Sequence, residues 1–249
     1  MDAGEVVEPF ERMLAQLFPP ARVRAIDRGD NWDAEWAGIE RSGFLDALVP
    51  EDAGGAGLDF GPVIPLFFAL GRHAAPLEIG RTMIARGTAD DANRAAANAV
   101  LHAAAIAGAA DRLLAMTVTY ANERVQFGKP VGRQQAVQQQ LAVMAEEAVA
   151  VRLAGELAGS VGWPDTRRAA LAKMIASDAA PRIAAVAHAV HGAIGISAEH
   201  DLQLFTRRLH AWRMAEGSET LWAQRLGADL IASGERPVDF VRTRLFGEQ

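Results

Sequence analysis

The stretch that decides the fold is residues 124–135, RVQFGKPVGRQQ, which runs from Arg124 to Gln135. It closes one long alanine-rich helical pattern and opens the next, and Gly128-Lys129-Pro130 is typical of a helix stop. A guanidinium, an aromatic ring and the free backbone N–H groups of a helix junction together suit a bound diphosphate. A second interpretation stays open, in which Arg124 is only a cation favoured by the helix dipole.

The composition favours a helical protein. Of the 249 residues, 50% are hydrophobic but only 6% are aromatic, so the apolar content is mainly Ala, Leu, Val and Ile. Ala and Leu are strong helix formers. Lys+Arg 25 against Asp+Glu 31 gives a formal net charge of −6 without a basic tract, so we expect no nucleic-acid partner. The absence of cysteine excludes disulfides, thiolate metal sites and cysteine nucleophiles.

Several other site types are not expected. The six histidines lack carboxylates at ligand spacing, so the sequence predicts no metal site. There is no G-x-S-x-G string and no P-loop. No apolar run suggests a membrane span, and residues 1–8 are acidic and unlike a signal peptide, so we expect a cytoplasmic protein without a membrane partner.

Hydrophobic periodicity predicts helices over most of the chain. In the first third we expect helices over 6–18, 32–42, 60–72 and 75–85, with an extended piece over 44–49. Beyond residue 88 we expect long helices over 91–126, 134–161, 164–193 and 218–233, and a shorter one over 198–208. One apolar stripe is predicted to face a core, formed by Val137, Leu141, Met144, Val149 and Leu153. The predicted architecture is a small helical domain (1–88) followed by an antiparallel four-helix bundle (89–249).

Three further strings carry candidate function. Residues 189–195, AVHGAIG, place two glycines three apart at a helix end, where a ligand could approach the backbone closely. A helix C-cap explains them equally, and the string lacks the preceding strand and third glycine of a dinucleotide fingerprint. Glu216-Gly217-Ser218 puts a carboxylate just before a helix start, and by itself such a carboxylate is solvated. Residues 50–58, PEDAGGAGL, form a glycine-rich turn.

Taken together, the four strings resemble flavin-dependent acyl-CoA dehydrogenases. Residues 124–135 are similar to the family's R-x-x-F-G-x-P…Q motif, and residues 189–195 to its Q-x-x-G-G-x-G loop. The glutamine of that loop is Ala189 here, and the second glycine of its pair is Ala193. Residues 216–218 resemble E-G-T, and residues 50–58 resemble P-E-x-x-G-G-x-G-L. The resemblance covers about residues 5–85 and 92–231.

The resemblance implies an all-α form of a larger architecture. The family encloses FAD and an acyl-CoA with a helical N-domain, a β-barrel-like middle domain and a C-terminal four-helix bundle. This chain passes from the first to the last near Gly87, without alternating strands or a T-E-P-x-x-G-S-D type string. We therefore expect an acyl-CoA dehydrogenase-like fold without the middle β-domain, which normally covers the flavin and holds the acyl-CoA.

The resemblance also assigns roles to residues. Glu216 matches the catalytic base that removes the α-proton of an acyl-CoA thioester, and burial beside flavin and acyl chain would raise its proton affinity. In family dimers the arginine, the glutamine and the glycine loop reach the neighbour's FAD. The expected FAD contacts are Arg124, Gln126, Phe127, Gln135, His191, Gly192, Ala193, Gly195 and Ser218.

The missing middle domain implies a partner. We expect a longer acyl-CoA dehydrogenase subunit in an α2β2 heterotetramer, as in relatives that act on bulky or steroid-derived thioesters, or else a homodimer. The resemblance makes electron-transferring flavoprotein the implied electron acceptor. Three alternatives stay open: a catalytic component for α,β-desaturation, a non-catalytic subunit that completes the partner's FAD site, and a helical protein that no longer touches flavin.

Overall fold

A computed structural model describes residues 3–126 and 128–247. Helices dominate, and the predicted all-α class is confirmed. The helices and strands in chain order are α1 (Ala3–Leu17), α2 (Pro20–Asp27), α3 (Asp33–Ser42), α4 (Phe60–Arg72), α5 (Glu78–Gly87), α6 (Asp91–Glu123), β1 (Val125–Gln126), β2 (Lys129–Pro130), α7 (Gln135–Ala158), α8 (Thr166–His191), α9 (Leu202–Met214), α10 (Glu219–Ser233) and α11 (Pro237–Phe240).

The predicted extended piece over residues 44–49 was wrong. Its first three residues form a 3-10 turn, Phe44–Asp46, entered through Gly43 in the left-handed region (φ 78). The glycine-rich turn that follows folds back onto this segment, with Leu58 N–H donating to the Ala47 carbonyl at 2.9 Å. The apolar side chains are buried as a strand's would be, but the backbone groups bond locally, so the hydrophobic pattern alone misled.

The connection between α5 and α6 is short. α5 ends at Gly87 and α6 begins at Asp91, where the Asp90 carboxylate caps the helix by accepting from Ala92 N–H at 2.7 Å. No domain is inserted there, and the only strands within residues 3–126 and 128–247 are the two-residue β1 and β2. The division into domains 1–88 and 89–249 stays a prediction.

Helix α6 is the centre of the bundle. It packs against α4, α7, α8 and α9, and its stretch from Ala99 to Ala110 is buried throughout. Alanine at most of these positions lets neighbouring helices approach closely. By length and composition α6 could also cross a membrane, although no membrane span was expected from the sequence, but 72% of its most apolar window is buried inside the protein.

The predicted apolar stripe of α7 was wrong in part. Met144 is buried, whereas Val149 and Leu153 are 55% and 57% exposed. The inward face of α7 is instead built mainly from small residues, including Ala148 and Ala154. Small residues carry little weight in a hydrophobic pattern, so the larger side chains dominated the prediction although they lie on the outward face.

The crossing of α4 and α6 gives a stability prediction. A Cβ atom at Gly108 would lie against the Phe68 carbonyl oxygen, well inside contact distance. We expect Gly108→Ala to lower the free energy of unfolding by about 1–3 kcal/mol, because backbone on both helices must move. The measurement is urea unfolding, with Gly227→Ala as the control, since nothing lies within 4 Å of a Cβ there. A free energy of unfolding for Gly108→Ala equal to that of the wild type would contradict this account of the crossing.

Candidate functional site

The junction between α6 and α7 is a short hairpin. Arg124 leaves the helix in an extended conformation (φ −72, ψ 112), and its carbonyl accepts from Val131 N–H at 2.8 Å. Between them β1 and β2 pair antiparallel, with Gln126 opposite Lys129. The side chains of Val125, Gln126 and Lys129 are exposed. Because the chain is extended from Arg124 onward, α6 ends at Glu123 and not at 126 as predicted.

The side chains of this junction are available to a ligand. Arg124, Gln126 and Gln135 are all exposed, and the Arg124 guanidinium has no ion pair with any residue that the structure describes. Phe127, also predicted to contact the cofactor, lies outside the described residues. Helix α7 starts at Gln135 without a side-chain cap and without an acidic residue in its first turn. Its first N–H groups thus remain open to an anion.

The end of α8 approaches the same junction. His191 is 3% exposed and stacks on Tyr120, one turn before Arg124, with ring centroids 4.5 Å apart. Its Nδ1 lies 2.8 Å from the Ala187 carbonyl, which can only accept, so Nδ1 carries the proton. Nε2 is then a buried acceptor without a partner among the described residues. Burial lowers the pKa of His191, so the ring is neutral at pH 7.

The glycine string follows directly. Gly192 ends α8 at φ 60, in the left-handed half of the backbone map that favours glycine, and Gly192 and Ala193 are both exposed. Gly195 is buried, and a Cβ there would meet His191 Cβ at 2.9 Å. The structure therefore brings residues 191–195 to the same end of the bundle as Arg124. Ala189, where the family has glutamine, is exposed and offers no amide.

Glu216 lies elsewhere, in the turn between α9 and α10. Its backbone has φ 57, a positive value that among the described non-glycine residues only Ala74 shares. The Trp222 indole N–H donates to its carbonyl at 2.9 Å. Ser218 occupies the N-cap position of α10 without making a side-chain cap hydrogen bond. Glu216, the predicted base, therefore lies in a turn with an unusual backbone conformation, which the hydrogen bond from Trp222 stabilises.

The environment of the Glu216 carboxylate differs from the expected burial. Its Oε1 accepts from Arg81 Nη2 of α5 at 3.0 Å, and the side chain is 31% exposed. The same Arg81 Nη2 lies 3.5 Å from His102 Nε2. Sequence reasoning missed Arg81 and His102, because both are far from residue 216 in the chain and neither belongs to a motif.

A cavity opens beside this ion pair. Its volume is about 640 Å³, and its wall combines aromatic and apolar residues with charged ones. Arg81, His102, Trp32, Leu77, Trp212 and Arg207 are among its lining residues. Its size is within the usual range for a small-molecule pocket.

His102 is the buried polar residue of this region. It is 2% exposed, and its Nδ1 lies 2.8 Å from the Asn98 carbonyl, so Nδ1 donates and Nε2 is an acceptor facing Arg81. Burial lowers the pKa of His102 to about 4. The imidazole is therefore neutral at pH 7, and it adds no positive charge beside Arg81 and Glu216.

The two groups of site residues lie at different ends of the bundle. His102 contacts Arg81, the partner of Glu216, and Tyr120 lies one turn before Arg124; both belong to helix α6. Their separation of 18 positions corresponds to about 27 Å along the helix axis. Within one chain, the candidate base and the candidate diphosphate contacts are therefore not adjacent.

Comparison with known proteins gives the chain its family. The family profile "Acyl-CoA dehydrogenase, C-terminal domain" matches residues 85–230, more than half of the chain. The acyl-CoA dehydrogenase IpdE2 of Mycolicibacterium smegmatis is 36% identical over 142 residues, which cover 57% of this chain and 45% of that protein. The chain thus spans about half the length of this curated relative.

Two solved structures share the fold over nearly the whole chain. A variant of the Tcur3481–Tcur3483 steroid ACAD superposes with a TM-score of 0.81 at 21% identity, covering 94% of this chain and 99% of that one. The ChsE4–ChsE5 complex from Mycobacterium tuberculosis gives 0.79 at 18% identity, covering 95% and 100%. At these identities the likeness shows the fold alone. The matched family profile, together with the all-helical fold, establishes that the chain belongs to the acyl-CoA dehydrogenase family.

Proposed function

We propose that this chain is the short subunit of a heteromeric, FAD-dependent acyl-CoA dehydrogenase that introduces an α,β double bond into an acyl-CoA thioester. One observation carries the proposal: α5 ends at Gly87 and α6 begins at Asp91, so no domain lies between them to hold a flavin, although residues that resemble the family's flavin contacts are present. A longer family member would supply that domain, in an α2β2 assembly. A homodimer is the simpler alternative, since the Arg124 end of one bundle could lie beside the Glu216 end of a second copy.

The residues at the α6–α7 junction fit a flavin dinucleotide. A diphosphate needs positive charge and open N–H groups, and the exposed Arg124 guanidinium and the uncapped start of α7 offer both. Gln126 and Gln135 add exposed amides, and the turn at Gly192 leaves its backbone open to a neighbouring chain. These groups would hold the dinucleotide of the partner subunit.

The chemistry at the other end belongs to Glu216. Its carboxylate would accept the α-proton of the thioester, while the flavin, when bound, supplies a hydride acceptor for the β-carbon. Arg81 Nη2 donates to Oε1 of this carboxylate at 3.0 Å, so the guanidinium holds the carboxylate in place beside the cavity until a substrate displaces it.

The cavity beside Arg81 is the candidate acyl site. Its volume of about 640 Å³ is larger than a short acyl chain needs, and two tryptophans lie in its wall, so it would accept a bulky, ring-containing acyl group. One structural neighbour, the Tcur3481–Tcur3483 protein, is a steroid ACAD, which supports this proposal. We propose a role in lipid or steroid catabolism in the cytoplasm, with electron-transferring flavoprotein as the acceptor.

A second function has an observation in its favour. The Glu216 carboxylate is engaged by Arg81 and partly exposed, where a base working on an apolar acyl chain would be buried. A non-catalytic subunit could keep this ion pair only to stabilise the contact between α5 and the turn before α10. Its function would then be limited to completing the flavin site of the partner.

The test of the shared flavin site is the visible absorption spectrum. We expect the chain purified alone to be colourless, and to carry flavin when it is co-expressed with a full-length family member. A yellow protein from the chain alone would contradict the heteromer proposal, because it would show a flavin site built from this chain's own residues. Size-exclusion chromatography on the same samples distinguishes a homodimer from the mixed assembly.

Arg124→Ala tests the diphosphate contact in the co-purified complex. Loss of a charge-assisted hydrogen bond to phosphate costs about 1.5–3 kcal/mol, so we expect flavin to bind on the order of 10- to 100-fold more weakly. Arg133→Ala is the matched control, since Arg133 is an exposed arginine of the same segment. Equal flavin content in both variants would favour a helical protein that does not touch the cofactor.

A further inference from the structure

Lysine is rare in this chain, and one of its lysines is buried. The sequence contains two lysines, Lys129 and Lys173, so almost all of its 25 Lys and Arg residues are arginine. Lys129 is exposed in the hairpin, whereas Lys173 in α8 has no exposed surface. A buried ammonium is strongly unfavourable unless each of its protons finds an acceptor. Lys173 therefore needs a hydrogen-bond acceptor for each of its three ammonium protons.

The partners of Lys173 are on both sides of the Glu216 turn. Its Nζ donates to the Arg213 carbonyl at 2.8 Å and to the Gly217 carbonyl at 2.9 Å. The third acceptor is Ser177 Oγ, one turn along α8, at 2.7 Å. Three ammonium protons thus meet three oxygens, and the hydroxyl of Ser177 in turn donates to the Arg213 carbonyl at 3.1 Å.

The turn needs this support. Glu216 has φ 57, which an L-residue with a Cβ adopts only reluctantly, and Gly217 follows at φ 99. The Arg213 carbonyl lies in the last turn of α9, where helix geometry leaves carbonyls without an intrahelical donor. Lys173 bonds the carbonyls before and after Glu216, and the Trp222 indole bonds the carbonyl of Glu216 itself. The backbone around the carboxylate is therefore fixed from two helices.

We propose that Lys173 is a positioning residue, which holds the 213–217 turn so that the Glu216 carboxylate points at Arg81 and the cavity beside it. The catalytic meaning of this role rests on the proposed function of Glu216, but the clamp itself does not. A lysine suits the task better than an arginine, because a compact ammonium can meet three oxygens around one point and a planar guanidinium cannot.

The protonation of Lys173 supports this role. Burial lowers its pKa to about 8, while Glu219 and Glu216 oppose that shift and Arg213 adds to it. The group is therefore still mainly an ammonium at pH 7, when all three protons are needed for the three acceptors.

The direct test uses Trp222 as a reporter of the turn. In Lys173→Met, which keeps the length of the side chain but donates no hydrogen bond, we expect the Trp222 indole N–H to exchange with solvent at least 10-fold faster by NMR. The indole signals of the other four tryptophans are internal controls for global opening. Unchanged exchange of Trp222 would overturn the proposal.

A milder variant and a chemical rescue keep the test decisive if Lys173→Met does not fold. Ser177→Ala removes one acceptor of the ammonium, and we expect a smaller acceleration of about 2- to 5-fold at Trp222. Because the chain has no cysteine, Lys173→Cys creates a unique thiol that 2-bromoethylamine alkylates in the unfolded protein, restoring an ammonium of nearly lysine length. Refolded alkylated protein should recover the slow exchange, and failure of both variants to alter Trp222 would exclude the clamp.

Activity of the complex separates this proposal from the proposed function. If Glu216 is the base, Lys173→Met should lower kcat at least 10-fold with unchanged KM and unchanged flavin content. Faster Trp222 exchange with unchanged kcat would confirm the clamp and refute the catalytic role of Glu216. Unchanged exchange with lowered kcat would instead reject the clamp as the cause.

Discussion

We expect replacement of Glu216 with glutamine to lower kcat of the reconstituted complex by on the order of 10²–10⁴-fold, the usual contribution of a positioned general base. The amide keeps the size of the side chain and can still contact Arg81, which lies 3.0 Å from the carboxylate oxygen in the wild-type chain. It cannot accept the α-proton. The measurement is steady-state turnover with an acyl-CoA and an artificial electron acceptor, at a flavin content matched to the wild-type complex.

The matched control for Glu216→Gln is Glu156→Gln, which changes an exposed carboxylate on α7 and should leave kcat unchanged. Turnover of Glu216→Gln equal to wild type would assign the chemistry to the partner and leave this chain as a non-catalytic subunit. Bound flavin must be equal in both variants, because a lower flavin content would imitate the loss of the base.

The long helices could be predicted from sequence because their pattern is local. The predicted span 60–72 matches α4, and the long helices beyond residue 88 begin within two residues of the predicted starts. Two errors arose in the first third of the chain. Phe44–Asp46 forms local backbone hydrogen bonds although its hydrophobic pattern looks extended, and helix α2, which begins directly at Pro20, was not predicted. The inward face of α7 was misjudged because small residues build it.

The site could be predicted only where its residues are neighbours in sequence. Arg124, Gln135 and the string 191–195 belong to short motifs, and the structure brings them to one end of the bundle through the contact between Tyr120 and His191. The assignment of these residues to FAD stays a prediction. By contrast, the partners of Glu216 come from other helices, and no local pattern joins residue 81 or residue 173 to residue 216. Only the scarcity of lysine could have drawn attention to Lys173.

Acidification gives a stability prediction that depends on His102. Its folded-state pKa of about 4 lies below the ordinary value of 6.5, because burial disfavours the imidazolium and Arg81 stands beside Nε2. Below pH 6.5 the unfolded chain takes up a proton that the folded chain refuses, so stability falls as the pH falls towards 4. The shift of about 2.5 pKa units corresponds to a loss of about 3 kcal/mol once the pH reaches the folded-state value.

The variant His102→Gln isolates this contribution, because glutamine can accept a hydrogen bond from Arg81 but cannot titrate. At pH 7.5 we expect His102→Gln to be less stable than wild type, since the donor to the Asn98 carbonyl is displaced. The difference in free energy of unfolding between the two proteins should then shrink, or reverse, by up to about 3 kcal/mol between pH 7.5 and pH 4. Urea unfolding across this range measures the difference, and His210→Gln, at an exposed histidine, is the matched control. Because other buried groups titrate equally in both proteins, a constant difference for His102→Gln would mean that His102 is protonated as readily in the folded chain as in the unfolded one. In that case the folded protein would tolerate the imidazolium next to Arg81. The ion pair between Arg81 and Glu216 would then offset the positive charge of His102 more strongly than burial opposes it.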